Sequence, residues 1–129
     1  MTFDLSALPF AALMGVEIVA ATKDRVEGRL TVREDLCTAG GILHGGAIMA
    51  FADSLGAVGA FLNLEGGRTT TLESKTNFIG SAGAGSTVIG VSTPLHVGRR
   101  SSVWQTRIEG EDGRLVALVT QTQMTIGGA

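Results

Sequence analysis

Over residues 44–64 the chain reads HGGAIMAFADSLGAVGAFLNL, with apolar side chains on every face when wound at 100° per residue. That pattern predicts a buried central helix. Elsewhere the period drops to two. Val26, Gly28, Leu30 and Val32 alternate with Glu27, Arg29, Thr31 and Arg33, which predicts a strand with one wet face. Residues 16–21 read as its neighbour across a Lys23-Asp24-Arg25 turn. Residues 5–14 read as a short amphipathic helix begun or interrupted at Pro9, and 34–41 as a loop. Glu65-Gly66-Gly67 supplies a glycine stop for the central helix. The second half is strand and turn: 69–79, 87–96 with Pro94 at a margin or bulge, 101–109 with Val103 and Trp104 inside, and 115–126 after an Glu111-Asp112-Gly113 hairpin turn. One long helix with five or six mostly antiparallel strands is an α+β layer, a sheet curled around a helix, in a single domain over 1–129.

Two features of the central helix carry chemistry. Asp53 stands mid-way along an apolar helix, where a carboxylate is costly unless paired, hydrated or protonated. It reads either as a reactive acid or as a structural aspartate bonded to nearby backbone. The run from Ala39 through Gly40, Gly41, Ile42, Leu43, His44, Gly45 and Gly46 is glycine-dense. It lets another group approach the first-turn N–H groups, which can receive an anion or a developing oxyanion. The plainer reading is a flexible loop feeding an ordinary helix cap. His44 and Asp53 are nine residues apart, on opposite faces and separated by roughly 14 Å of helix rise. If both serve one site, two chains must contribute, with their helices antiparallel about a two-fold axis.

Composition narrows the function classes. A net charge of −2 without a basic block argues against nucleic acid, and the absence of tyrosine removes the usual base-stacking platforms. The mean hydropathy of +0.31 raises the question of a membrane. The one long apolar stretch carries Asp53 and four glycines, so the hydrophobicity is read as buried oligomer interface. The single cysteine, Cys37, excludes an intrachain disulfide and fits a reducing, cytoplasmic compartment. It reads as a small packed residue at a strand end. The N-terminal stretch lacks a basic region and carries Asp4, a poor match to a secretory signal.

The run Gly41-x-x-His44-Gly45-Gly46, with an acid nine residues after the histidine, resembles the hotdog-fold acyl-CoA thioesterases of the PaaI-like branch of the 4-hydroxybenzoyl-CoA thioesterase superfamily. The order of elements matches as well, so the resemblance covers nearly the whole chain. It implies a hotdog fold, a helix wrapped by an antiparallel sheet, paired into a homodimer and a dimer of dimers. The family's helix acid falls on Asp53, as nucleophile or as the base that activates water. The oxyanion donor falls on the Gly45 N–H, and His44 orients that turn or contacts the thioester. A hydroxyl that helps hold the water falls on Thr71, with Thr70 as the shifted alternative.

The same resemblance puts Thr38, Gly41 and Gly46 around the substrate. It also puts Gly98 with Arg99 and Arg100 near the phosphates of coenzyme A, where arginines bind by charge-assisted hydrogen bonds. Two solvated arginines at a hairpin is the plainer reading, and Arg68 is a further candidate. Ile48, Met49 and Phe51, with the loop before the motif, are expected to line the acyl pocket. Members of the branch commonly carry asparagine where this chain has Thr38, whose hydroxyl lacks the two-sided capacity of an amide. No cofactor and no metal ion is called for.

The reading favoured is therefore hydrolysis of an acyl-CoA thioester. A hotdog hydratase or dehydratase acting on acyl thioesters is a second reading. A non-catalytic acyl-CoA-binding domain is a third, which the retained Asp53 and the lack of room for an output domain disfavour.

Overall fold

The structure is a computed structural model and describes residues 5–128; the secretory-signal argument from Asp4 lies outside them. Helix α1 (Pro9–Met14) precedes strands β1 (Glu17–Ala21) and β2 (Val26–Thr31). The long helix α2 (Gly45–Leu62) follows, then β3 (Arg68–Phe78), β4 (Thr87–Val97), β5 (Ser101–Gly110) and β6 (Leu115–Ile126). All strand pairs are antiparallel, in one six-stranded sheet of order β1-β2-β4-β5-β6-β3. The sheet wraps α2. This is the hotdog architecture expected from the sequence.

The alternation in β2 places Val26, Leu30 and Val32 fully inside. Gly28 and Gly90 stand opposite each other on β2 and β4, and together they let the helix sink onto the sheet. A Cβ at Gly28 would lie 2.7 Å from Leu55, and one at Gly90 2.6 Å from the same side chain. Phe51 and Leu55 are completely buried in the space so made. Gly59 does the same for the ring of Trp104, 2.5 Å from where its Cβ would stand.

Several local expectations need correction. The N-terminal segment divides into a 3-10 turn (Leu5–Ala7) and α1, because Pro9 opens α1 at its first turn and Gly15, with φ of 84°, closes it. The 34–41 loop contains a 3-10 turn, Glu34–Leu36. Only Trp104 of the pair expected inside β5 faces the core: alternation sends Val103 to the other side, and Ser102, Thr106 and Ile108 share the inner row. Pro94 does sit at a bulge, in the part of β4 that extends past its pairing with β2 and needs no donor on that side.

Helix α2 stops at Asn63, three residues before Gly66. The Asn63 Nδ2 donates to the carbonyls of Gly59 and Lys23, both at 2.9 Å, tying the helix end to the β1–β2 turn. Asn63→Ala is expected to cost about 1 kcal/mol in denaturant unfolding, since it removes both bonds and frees two carbonyls.

The length and hydropathy of α2 match a membrane span. Its large side chains Phe51, Leu55 and Val58 are nevertheless enclosed by the sheet. The expectation of burial on every face holds only in part. A stripe through Gly46, Met49, Asp53, Ala57 and Phe61 is incompletely covered, with Phe61 53% exposed.

Candidate functional site

The N-terminus of α2 is held by its own histidine. His44 is the N-cap, in extended conformation, and its Nδ1 accepts from the Gly46 N–H at 2.8 Å. A neutral imidazole that accepts at Nδ1 carries its proton on Nε2, which is thereby a donor. The Gly46 N–H, expected to be open, is therefore engaged. The Gly45 N–H has no acceptor among the described residues. A Cβ at Gly45 would lie 3.1 Å from the Phe78 ring, and one at Gly46 3.0 Å from His44 Nδ1, so both positions favour glycine.

Backbone bonds from Leu43 N to Ala82 O and from His44 N to Leu36 O fix the approach to this turn. Thr38 acts locally: its hydroxyl accepts from the Gly40 N–H at 3.2 Å, and its carbonyl accepts from Gly41, whose φ of 77° suits glycine. Cys37 bridges to Leu43 and is half-buried.

Asp53 lies half-buried on the open stripe of α2, against β3 and β6. Its Oδ1 accepts from the Thr71 hydroxyl at 2.5 Å and from Gln121 Nε2 at 3.3 Å. Thr71 in turn accepts from Gln123 Nε2 at 2.6 Å, and Gln123 Oε1 accepts from the Thr69 hydroxyl at 2.8 Å. Of the two threonines left open by the sequence, Thr71 is the one that meets Asp53; Thr70 is exposed on the other face of β3.

Gln121 and Gln123 are 0% and 1% exposed, and sequence reasoning missed both. Their signal was present: the inward row of β6 runs Ala117, Val119, Gln121, Gln123, an apolar alternation that turns twice to an amide. Gly56 makes room for the first of them, since a Cβ there would lie 2.5 Å from the Gln121 amide carbon. Three polar atoms in this region, Gln121 Oε1, Ser74 Oγ and Thr76 Oγ1, are buried without a partner in the chain.

Gly98, Arg99 and Arg100 form the β4–β5 turn, where Gly98 N donates to Ser101 O and Thr125 N to Arg100 O. Arg99 lines a cleft of about 450 Å³ with Asn63, Leu64 and Gly66, at the end of α2 opposite His44. Both arginines line a second cleft of about 390 Å³ beside Thr125. Neither belongs to an ion pair among the described residues.

The residues singled out in the sequence thus fall at three stations along α2: His44 and Gly45 at its start, Asp53 with Thr71 midway, and the arginines at its end. Of the expected acyl-pocket residues, Phe51 and Ile48 point into the core, at 0% and 4% exposure, and only Met49 reaches the open stripe. The loop before the motif does line a groove of about 380 Å³, where Leu36 and Cys37 meet Phe10, Leu13 and Ala47 beside His44.

Residues 40–117 match the profile of the thioesterase superfamily. The chain belongs to that superfamily. This thioesterase is 32% identical over 114 residues to the Mycobacterium tuberculosis protein Rv1847, covering 85% of this chain and 81% of that one. The solved structure of Rv1847 superposes with a TM-score of 0.89, covering 95% of this chain and 99% of the other at 30% identity. A shorter match, 46% identical over 76 residues, joins 58% of this thioesterase to 55% of the 1,4-dihydroxy-2-naphthoyl-CoA hydrolase of Escherichia coli K12. The PaaI protein of Escherichia coli shares the fold, with a TM-score of 0.87 at 21% identity over 94% of this chain and 86% of PaaI. The protein is a PaaI-like thioester hydrolase with a hotdog fold.

Proposed function

We propose that this thioesterase hydrolyses an acyl-CoA thioester at a site shared between two copies of the chain. The observation that carries this reading is the separation of two complementary groups. A carboxylate fixed on one oxygen by Thr71 and Gln121 stands midway along α2, and an unclaimed N–H, that of Gly45, stands at its start. Thioester hydrolysis needs both a group that delivers the attack and a donor for the oxyanion. One straight helix cannot bring its own two stations together. Two helices antiparallel about a two-fold axis bring the Gly45 of one chain toward the Asp53 of the other.

The surface beside the site supports such pairing. Edge strand β3 and the open stripe of α2 expose Leu72, Phe78, Ile79 and Phe61, each 53–57% accessible. A long unpaired strand edge with adjacent apolar side chains is the kind of surface that a second copy covers. A further pairing of dimers into a tetramer belongs to the same reading.

In this arrangement the Gly45 N–H polarises the thioester carbonyl, and His44, with Nδ1 engaged, presents its Nε2 proton toward the substrate side. Asp53 acts on the carbonyl carbon directly or through a water. The arginines at the far end of α2, free of acidic partners, take the phosphates of coenzyme A. The CoA class is supported by the name of the Escherichia coli relative, and the lone Cys37 suits a reducing, cytoplasmic compartment. The test is release of free CoA thiol from a panel of aliphatic and aromatic acyl-CoAs, with the mass of the assembly measured in parallel. Saturable release by a dimer or tetramer is expected. No release from any member of the panel, or full activity in a monomer, would overturn the proposal.

A further inference from the structure

The polar row ending at Asp53 has a direction, and we infer that the buried amide of Gln123 sets it, making Gln123 a positioning residue for the Asp53 proton. The Thr69 hydroxyl donates to Gln123 Oε1, so the nitrogen is the end that reaches Thr71 Oγ1. An amide nitrogen only donates. Thr71 therefore accepts from Gln123, and its single proton is left for Asp53 Oδ1. Read this way, the row terminates on an ionised carboxylate.

Turned end for end, the same amide fits the opposite state. Gln123 Nε2 then donates to Thr69, Gln123 Oε1 accepts from Thr71, and the Thr71 oxygen needs a donor, which a protonated Asp53 supplies. The same four side chains are satisfied in either sense, and only one amide rotation and the positions of the protons differ. The row can therefore follow Asp53 through the uptake and loss of a proton.

The kinetic consequence rests on the proposed thioesterase site, while the hydrogen-bond consequence does not. In a water-mediated reaction, Asp53 takes one proton as the water oxygen bonds to the acyl carbon. As the carbon–sulfur bond breaks, the departing thiolate takes that proton back. The row reverses once and returns.

No other titratable side chain faces Asp53 from the elements packed on it, among the described residues. Strand β6 carries none, and Asp53 is the one in α2. On β3, Glu73 and Lys75 are exposed and bond to Thr122 and Asn77, and Arg68 lies at the strand's start. In the proposed pair, the His44 of a second chain is the group that joins them.

The test is 13C-carboxyl NMR titration of Asp53 in the full chain, assigned with Asp53→Asn. With Gln123→Glu, both neighbours of the Thr71 hydroxyl are acceptors, so the pair takes up its first proton at a pH about one unit or more above the wild-type Asp53 midpoint. Gln123→Met, which fills the space without choosing a direction, moves the midpoint by less than about half of that. In the wild type, the side-chain NH2 signals of Gln123 shift with the Asp53 midpoint, and they stay fixed in Asp53→Asn. A Gln123 amide that does not titrate with Asp53, or equal shifts in the Glu and Met variants, would overturn the inference. If the NMR shifts appear and no acyl-CoA is hydrolysed, the row stands and the thioesterase site falls.

Discussion

Asp53→Asn is expected to lower the rate of CoA release by about 10²–10⁴-fold, with the fold and the assembly unchanged. The substitution is nearly isosteric. The asparagine Oδ1 still accepts from Thr71 and Gln121, so the half-buried network keeps its partners. What disappears is the negative charge and the basic second oxygen, the part that attacks or deprotonates. A loss confined to kcat would place the defect in the chemical step rather than in binding. Single turnover in 18O-labelled water separates the two routes. Label in the released acid indicates attack by water, whereas label in the protein indicates an anhydride with Asp53 that is hydrolysed at the aspartyl carbon. Near-wild-type turnover would remove Asp53 from the mechanism.

The largest effect on stability is expected from Gly90→Val. Its Cβ would lie 2.6 Å from Leu55 Cδ1 and 3.1 Å from the Phe51 ring, and both of those side chains are fully buried. Neither has free space to move into, so helix and sheet must separate. Overpacking of this kind costs roughly 1–3 kcal/mol, which for a domain of this size corresponds to a Tm lower by roughly 5–12 °C. Gly83→Ala is the matched control, because a Cβ there meets nothing within 4 Å. Calorimetry of the two variants beside the wild type reads the difference. Equal Tm values would show that the paired glycines do not set the helix–sheet distance.

The fold was legible because its elements differ in period. The apolar run of α2 and the alternation of the strands are local signals, and turns such as Glu111-Asp112-Gly113 separate them. The helix stop was misplaced for a local reason too. Gly66 and Gly67 do adopt positive φ, but a side-chain cap at Asn63 ends the helix first, and its partner Lys23 is forty residues away. Partners that distant leave no trace in a window of sequence. The same holds at the site. Asp53 announced itself by its apolar surroundings, but the choice between Thr70 and Thr71 depended on strand register and on the bulge between Thr71 and Glu73. Gln121 and Gln123 enter only when β6 is laid beside β3, and the inward turn of Phe51 only when Gly28 meets Gly90. Sequence showed which residue types were out of place, and pairing across the sheet showed what they touch.

The seating of α2 in its glycine-lined trough makes it a rigid gauge. Phe51 and Leu55 lock its rotation, Asn63 anchors one end and the His44 cap the other. One residue inserted between Gly45 and Asp53 would turn the carboxylate by about 100° and carry it about 1.5 Å along the axis, away from Thr71. The core residues after it would lose their places in the trough at the same time. The nine-residue interval between His44 and Asp53 is thus closed to insertion and deletion, while the loops at either end of the helix remain free to change length as the lineage diverges.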